Sequence, residues 1–463
     1  MAEKQNATYE QVMATINHER VRFVNLEFTD VVGMAKCVTI PVEQFADCVR
    51  HGKWFDGSAL EGFARIAESD MYLFPDLSTF AVLPGKVRSV SQARQDLSIS
   101  EDGVAARVIC NVRTPEGEPF DGDPRAALMR AVEMARSMGY RFQIAPELEF
   151  FLLRYEDSKT PVPLAHDRGS YFDLSTDFAA TVRGQMAHAL QQMGIIIDAS
   201  HHEVAAGQHE LDFEMHDVMR IADGLMTAKY VLKAIAAQHG LYATFLPKPF
   251  YGVNGSGLHI HQQVIDLETR KNAFVDEQAE YGLSEIGRCF IAGQLAHARA
   301  MCAILAPLVN SYKRLVRGFE APVFINWGRV NRQALIRVPR LGPDAQSSMR
   351  IELRCADPSC NPYLALAVML RAGLDGIQRK LSLPEAMDEN LFLQDDTDWI
   401  RPRARLLPAT LGEALEALRE DALIREILGD SIYEGFVDAK SIEWIEYRQQ
   451  VHSWEIDRYL PVF

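Results

Sequence analysis

Cysteine is scarce in this chain, and its seven copies are scattered over 463 residues. The nearest pair, Cys355 and Cys360, has neither the spacing of a zinc site nor a place in a disulfide framework, which excludes a small disulfide-stapled or zinc-stapled scaffold. Long apolar runs are missing as well. The most apolar stretch, Ile291 to Val309, carries His297 and Arg299 and predicts a buried helix, not a membrane span. The opening residues, Met1-Ala2-Glu3-Lys4-Gln5-Asn6, hold no signal-like apolar core, so cytoplasmic residence is the expectation. Positive charge is in deficit: 48 Lys and Arg stand against 63 Asp and Glu, a net charge of −15. That balance argues against nucleic acid as a main partner, because phosphate binding needs a basic surface. Repeats and low-complexity tracts are absent too. Apolar residues are plentiful at 48%, enough for a large core in a chain that has room for two or three domains.

The punctuation of the chain divides it. Val24, Leu26 and Phe28 alternate with Asn25, Glu27 and Thr29, and a turn around Asp30 to Gly33 leads into a second strand-like run, the start of a small sheet domain. Residues 114–124 are rich in Pro, Gly and Asp; Asp123 before Pro124 predicts a helix start, and Gly139 its end. A domain boundary is expected at or just before this stretch, giving units of 1–107 and 108–463. Beyond it, helical segments such as Arg220 to His239 alternate with short strands that carry acids.

Three of those strands repeat a two-residue spacing of charged groups. In Ala145-Pro146-Glu147-Leu148-Glu149-Phe150-Phe151, Glu147 and Glu149 share one face of a strand whose other face is apolar. Arg350, Glu352 and Arg354 share a face opposite Ile351 and Leu353. His259 and His261 do the same after a turn containing Gly252, Gly255 and Gly257, glycines that let a backbone approach a ligand closely. Read alone, each of these fits a structural role as well as a functional one. Glu203 and Glu210 are an odd seven residues apart, so a continuous strand would send them to opposite faces. A turn at Ala205-Ala206-Gly207-Gln208 either converges them on one point or leaves them as solvated flanks of a hairpin. Neighbouring carboxylates in a low-dielectric site repel each other, and a divalent cation is their natural neutraliser. Carboxylates with an imidazole suit magnesium or manganese.

Taken in order, these segments resemble glutamine synthetase of the bacterial and archaeal type I form. The resemblance covers nearly the whole chain. It runs from Phe28-Thr29-Asp30 and Val38-Thr39-Ile40-Pro41 through Phe55-Asp56-Gly57-Ser58, Glu68-Ser69-Asp70-Met71 and the acidic strands. It continues in Asn310-Ser311-Tyr312-Lys313-Arg314-Leu315-Val316, Glu320-Ala321-Pro322 and Asn361-Pro362-Tyr363-Leu364-Ala365. It implies an α+β fold, with an N-terminal β-grasp domain and a larger catalytic domain built on a curved antiparallel sheet flanked by helices. It also implies a dodecamer of two stacked hexameric rings, with active sites between subunits.

The implied reaction is ATP-dependent ligation of ammonia to the γ-carboxylate of glutamate through γ-glutamyl phosphate. Carried over residue by residue, the resemblance places one Mg2+ or Mn2+ among Glu149, Glu203 and Glu210 and another among Glu147, His259 and Glu352. Arg314 pairs with the glutamate α-carboxylate, while Asn254 and Gly255 receive its amino and backbone groups. Arg332, Arg337 and Arg354 are phosphate and carboxylate clamps, and Asp198, His261 and Arg350 match positions near ATP. Asp56 of a neighbouring subunit is the implied base for ammonium, in a pocket completed by Tyr171, Glu203 and Glu320, with Glu320 on a closing flap. Arg65 matches an arginine linked to glutamine feedback in short-form relatives.

Departures from the family pattern are few. Ala59 stands where a second serine usually follows Phe-Asp-Gly-Ser, and Gln263 replaces a serine near ATP. The flap reads Val316-Arg317-Gly318-Phe319-Glu320 in place of Val-Pro-Gly-Tyr-Glu. Asn326-Trp327-Gly328-Arg329-Val330-Asn331-Arg332 differs from the commoner Ala-Trp/Tyr-Ser run before Asn-Arg, and a Trp-Gly run of this kind also occurs in relatives that ligate glutamate to amines or polyamines, so a γ-glutamyl amine ligase is the alternative expectation. A non-catalytic scaffold is the third, and six intact ligand positions count against it. Phe392 occupies the place of the tyrosine that long-form relatives adenylylate, which predicts no such modification.

Overall fold

The computed structural model describes residues 8–58, 70–85, 104–155, 161–164, 170–173, 178–340, 342–388 and 406–463. Ala59, Arg65 and Phe392 lie outside these. The alternation at the start becomes β1 (Val21–Thr29), paired antiparallel with β2 (Ala35–Pro41). The turn between them is closed by the Asp30 carboxylate, which accepts the Met34 N–H at 2.8 Å. Val24, Leu26 and Phe28 face inward and are buried, as a period of two requires. With β3 (Lys53–Asp56), β4 (Asp70–Pro75), β5 (Ala81–Val82) and β6 (Val104–Arg113), they form a six-stranded sheet among the described residues, in the main order β2-β1-β6-β4-β3. β6 runs through the division expected between 107 and 108. It pairs with β1 up to Ile109 and with β4 from Cys110 to Arg113, so this sheet continues to Arg113.

The helix Pro124–Ser137 starts as its sequence predicts, the Asp123 carboxylate accepting the Arg125 N–H at 2.9 Å, and Gly139 follows it at φ +84°. Asp123 also accepts the Val112 N–H at 3.0 Å, tying this helix to β6. Arg125 ties it more strongly. Its guanidinium donates to Asp223 through Nε and Nη2, both at 3.0 Å, to Asp76 at 2.7 Å and to Asn111 at 2.6 Å. The Tyr363 hydroxyl completes the cluster on Asp223 at 2.7 Å.

The second sheet hangs from one long strand, β7 (Tyr140–Tyr155). The others are β8 (Pro161–Pro163), β9 (Ile197–His202), β10 (Gln208–Phe213), β11 (His216–Asp217), β12 (Tyr242–Thr244), β13 (Leu258–Asp266), β14 (Trp327–Gly328), β15 (Ile336–Arg337) and β16 (Ile351–Leu353). The main path runs β14-β15-β16-β13-β7-β10-β9, with β8, β11 and β12 also paired to β7. Alternation on β7 sorts its side chains. Phe142, Ile144, Leu148, Phe150 and Leu152 join one large core with the helices Phe178–Gln192, Val218–Gln238, Glu285–Ala296 and Pro362–Arg379, leaving Glu147 and Glu149 on the other face. The stretch expected as one buried helix from Ile291 to Val309 is buried but broken. Glu285–Ala296 ends at His297, whose N–H bonds the Gly293 carbonyl, and Ala298–Leu305 stops before Pro307. Among the described residues no helix is long and apolar enough to cross a membrane.

Candidate active site

Strand register assembles the site. Glu147 on β7 is the direct partner of His259 on β13 and of Asp212 on β10, while Glu149 is the direct partner of Glu210. One strand further out on each side, Glu210 faces His201 on β9, and Glu352 on β16 faces His261. The turn between β9 and β10 forms at the predicted residues: Gly207 adopts φ +75°, Gln208 N–H bonds the Ala205 carbonyl, and Glu203 N–H bonds the Gln208 carbonyl at 2.9 Å. It brings Glu203 to the same side as Glu210.

A cavity of about 250 Å3 opens over this row of charges. Its lining includes Glu147, Glu149, Glu203, Glu210, His259 and Glu352, all six expected metal ligands. Tyr171, Asn254, Gly255, Arg314, Glu320, Arg332, Arg337 and Arg354 line it too. The remaining expected residues stand elsewhere. His261 is buried behind the lining with Nε2 2.7 Å from Glu147. Asp198 and Arg350 are exposed and do not line the cavity. Asp56 ends β3 on the chain's exterior, its carboxylate accepting the Ser58 hydroxyl at 2.7 Å and N–H at 2.9 Å, and it does not reach this chain's cavity. Gln263 exchanges amide hydrogen bonds with Gln143 and Asn272.

The donors form two groups whose ligand atoms lie within 4.8 Å of one another: Glu147, His261 and Glu352, and His201, Glu203 and Glu210. His259 sits between them, Nδ1 at 3.0 Å from Glu147 and 3.9 Å from Glu352, Nε2 at 3.7 Å from Glu149. His201, 3.2 Å from Glu210, is a donor that sequence reasoning missed. So is the role of Gln208, whose amide donates to Glu149 at 2.9 Å and to the Gly255 carbonyl at 3.1 Å. Asp212 was missed as well. The even spacing of Gln208, Glu210 and Asp212 was the available signal.

The electrostatics separate the two groups. Burial, reinforced by Glu203, pushes the Glu149 carboxyl up to about 8, and burial with repulsion from Glu149 and Glu147 pushes Glu210 up to about 12. Burial raises Glu203 as well. Two full charges 4 Å apart repel by ~4 kcal/mol at an effective dielectric constant of 20, so these carboxyls cannot all ionise without a counter-charge. On the other side, hydrogen bonds from His259 and His261 outweigh burial and hold Glu147 low. Arg354 and the same imidazoles overcome burial at Glu352 and hold it at about 2. Glu352 is gripped by Arg354 and, at 2.9 Å, by Arg337. Burial and Arg354 depress His259 to about 4, leaving a neutral imidazole whose Nε2 has no hydrogen-bond partner. A neutral, unpartnered imidazole nitrogen facing buried carboxylates that lack a counter-charge is a donor set that fits a hard divalent cation.

Arg314 is fixed from behind. Its Nη1 donates to the Cys355 and Ala356 carbonyls at 3.3 and 3.1 Å, and its Nη2 to the Arg354 carbonyl at 3.1 Å. A Cβ on Gly255 would lie 2.1 Å from the Pro247 carbonyl, so only glycine fits there, and one on Gly257 would lie 2.4 Å from Arg314 Nη2 and would have to push that guanidinium aside. Opposite, Arg332 stands 3.7 Å from Glu320 and above the Tyr171 ring at 5.8 Å. Of the departures from the family pattern, Arg317 lies over Phe324 at 5.0 Å, outside the cavity lining. Trp327 donates its indole N–H to the Pro384 carbonyl at 2.7 Å.

The same two domains, in the same order, occur in known proteins. The model of the glutamine synthetase β-Grasp domain matches residues 20–115, and that of the glutamine synthetase catalytic domain matches residues 121–459. The chain is similar to the glutamine synthetase of Thermus thermophilus, 47% identical over 459 residues that cover 98% of this chain and 99% of that one. It is 46% identical to the glutamine synthetase of Thermotoga maritima over 455 residues, covering 98% and 99%. Among solved structures, one described as "GmaS/ADP complex-Conformation 1" superimposes with a TM-score of 0.84 at 29% identity, covering 97% of this chain and 99% of that chain. Both domains are matched in order and the curated relatives align end to end, so this chain belongs to the glutamine synthetase family.

Proposed function

We propose that this protein ligates ammonia to the γ-carboxylate of glutamate at the expense of ATP, giving glutamine, ADP and phosphate. The observation that carries the reading is the convergence of six glutamates, His259 and four arginines on one cavity. Glu149, Glu203 and Glu210 would hold one divalent cation, with His201 at hand, and Glu147, His259 and Glu352 the other; Mg2+ and Mn2+ suit such oxygen-rich sets. When bound, such cations neutralise phosphate charge and polarise the reacting oxygens.

The chain's own residues do the rest. Arg314 binds the α-carboxylate of glutamate beside Asn254 and Gly255. Arg332, Arg337 and Arg354 face the charge that builds as phosphoryl transfers to the γ-carboxylate. Glu203, Glu320 and Tyr171 make an anionic pocket that attracts ammonium. The Asp56 carboxylate, held ionised by Ser58, is the base that takes its proton, and its distance from this chain's cavity supports the reading that it serves a neighbouring subunit. That reading goes with a dodecamer of two hexameric rings and with a cytoplasmic enzyme. We place the division between the two domains in residues 114–123, after β6. Asp198, His261 and Arg350 are assigned to the ATP side, Arg65 to glutamine feedback, and Phe392 to the absence of adenylylation.

An organic amine in place of ammonia is the second reading, favoured by one observation: Phe172 and Phe319 add apolar wall to the acidic cavity. Product identification by mass, with glutamate, ATP and Mg2+ and either ammonium or a panel of amines, decides between them. Glutamine as the fastest product supports the first reading; ammonium at background rate beside rapid use of an amine overturns it.

A further inference from the structure

Lys248 lies beside the cavity, outside its lining, and touches two segments that do line it. Its ammonium donates to the Val253 carbonyl, next to Asn254 and Gly255. Its stem lies against Gly255, where a Cβ would come within 3.3 Å of the Lys248 Cδ. The same ammonium stands 3.6 Å from the centre of the Phe319 ring, in the flap that carries Glu320. The backbone of Lys248 is itself pinned: its N–H donates to the Asn310 side-chain oxygen at 2.7 Å, and its carbonyl accepts from the Asn310 amide at 3.0 Å. A fixed backbone holds the root of this lysine while its cationic tip joins the glutamate loop to the flap.

We propose that Lys248 is a positioning residue that couples the glutamate-binding loop at Val253-Asn254-Gly255 to the flap at Phe319-Glu320. The inference rests on a reaction through an acyl phosphate at this cavity. A cation on the face of an aromatic ring is a contact with direction, and it holds the ring only while the ammonium is in place. The ammonium is in turn held by the Val253 carbonyl. Ordering of the 253–255 loop by glutamate therefore favours the flap position in which Phe319 and Glu320 cover the γ-carboxylate. The step it protects is balanced without Lys248: ammonia displaces phosphate from the γ-carbonyl carbon, forming the amide bond and breaking the acyl–oxygen bond. Water entering under an open flap would break the same acyl–oxygen bond and return glutamate and phosphate, so the latch acts on the partition between amide and hydrolysis.

The experiment measures phosphate released per amide formed, in the full-length protein and in Lys248→Met, Lys248→Arg, Phe319→Leu and the Lys248→Met/Phe319→Leu double variant. The expected result is a ratio near one for the parent, whose excess over one rises roughly two- to fivefold in Lys248→Met, the scale of a half-exposed cation–π contact. Lys248→Arg, which keeps a cation over the ring, restores most of the coupling. Phe319→Leu raises the ratio by itself, and adding Lys248→Met to it raises the ratio no further, because the two side chains act through one contact. A ratio that stays at one in both single variants overturns the proposal, as does full additivity in the double variant. Phe319 sits partly exposed on the surface flap, so its variant decides the matter even where Lys248→Met fails to fold. Should ammonium give no glutamine in the parent while an amine gives its amide, the function proposed above fails, and the same ratio, read with that amine, still tests the latch.

Discussion

Glu149 and Glu210 are direct partners across the antiparallel ladder of β7 and β10, and both carboxyls are buried. Burial and charge repulsion hold Glu149 at about 8 and Glu210 at about 12. A carboxyl raised on folding supports the folded state below its unfolded value, about 4.3, and withdraws that support as pH climbs toward the folded value. Glu147 and Glu352 are held low and have the opposite sign; their support is complete above the unfolded value and is lost only in acid. Across about pH 5 to 8 the first pair, with buried Glu27 raised to about 7 and buried Asp123 raised to about 6, outweighs the opposite contribution of the depressed His209 and His259, and the slope is downward. Calorimetry of metal-free protein is expected to show Tm falling by several degrees over that window, and Mg2+ or Mn2+ reversing the slope. A metal-free Tm that rises with pH there contradicts this assignment.

Gly257→Ala is expected to spare folding and damage glutamate binding, because the new methyl would displace Arg314 Nη2, now 2.4 Å from its position. A rise of about tenfold or more in KM for glutamate, larger than any rise in KM for ATP, is the scale of a misplaced binding group, the methyl also standing 2.9 Å from His259 Nε2. Steady-state kinetics on both substrates check it. Equal changes in the two constants would point to a general collapse of the site.

Asp56→Asn is expected to leave Tm unchanged, since the side chain is exposed, and to lower kcat with ammonium by about 10²-fold, the scale of a lost general base. Activity should recover as pH rises and free ammonia replaces ammonium. A pH profile parallel to that of the parent would remove Asp56 from the proton-transfer step.

Arg125→Met is a stability prediction. It leaves Asp223 and Asp76 without the guanidinium that joins them, at a site where Arg125 is 4% exposed and Asp223 6%. Removing one partner of a buried charge cluster costs about 3–5 kcal/mol. Urea unfolding reads this directly, and a cost under about 1 kcal/mol, the value of a surface pair, would show the cluster to be solvated.

Much of the site was legible because its ligands lie on strands, where a period of two is hard to disguise. Glu147 and Glu149 declared a charged face by alternating with Leu148 and Phe150, and the small residues of 205–208 announced the turn that reunites Glu203 with Glu210. Pairing register was not legible. Nothing local in His201 says that it will face Glu210, because that depends on which residue of β10 meets which residue of β9. Arg350 shows the limit from the other side. Its spacing from Glu352 matches one face, yet β16 is only Ile351–Leu353, so the face ends before Arg350, which stays exposed. The extent of β6 beyond residue 107 was not legible for the same reason: it belongs to its sheet by partners distant in sequence. The partners of His297, where the helix breaks, were not legible either: Asp375 on the helix Pro362–Arg379 and the helix-capping Asp421 hold the imidazole at 3.2 and 2.7 Å.

Glu147 and Glu149 are rooted in the same strand, and β7 is stapled by ladders along most of its sixteen residues. Same-face residues on a strand stand roughly 6.6 Å apart, a distance set by the pleat and not by side-chain choice. The strand thus works as a ruler. Motions of the loops around the cavity can change what reaches Glu147 and Glu149, but they cannot change the interval between their anchors. The interval between the roots of these two carboxylates is set by backbone geometry, which substitution away from β7 leaves untouched.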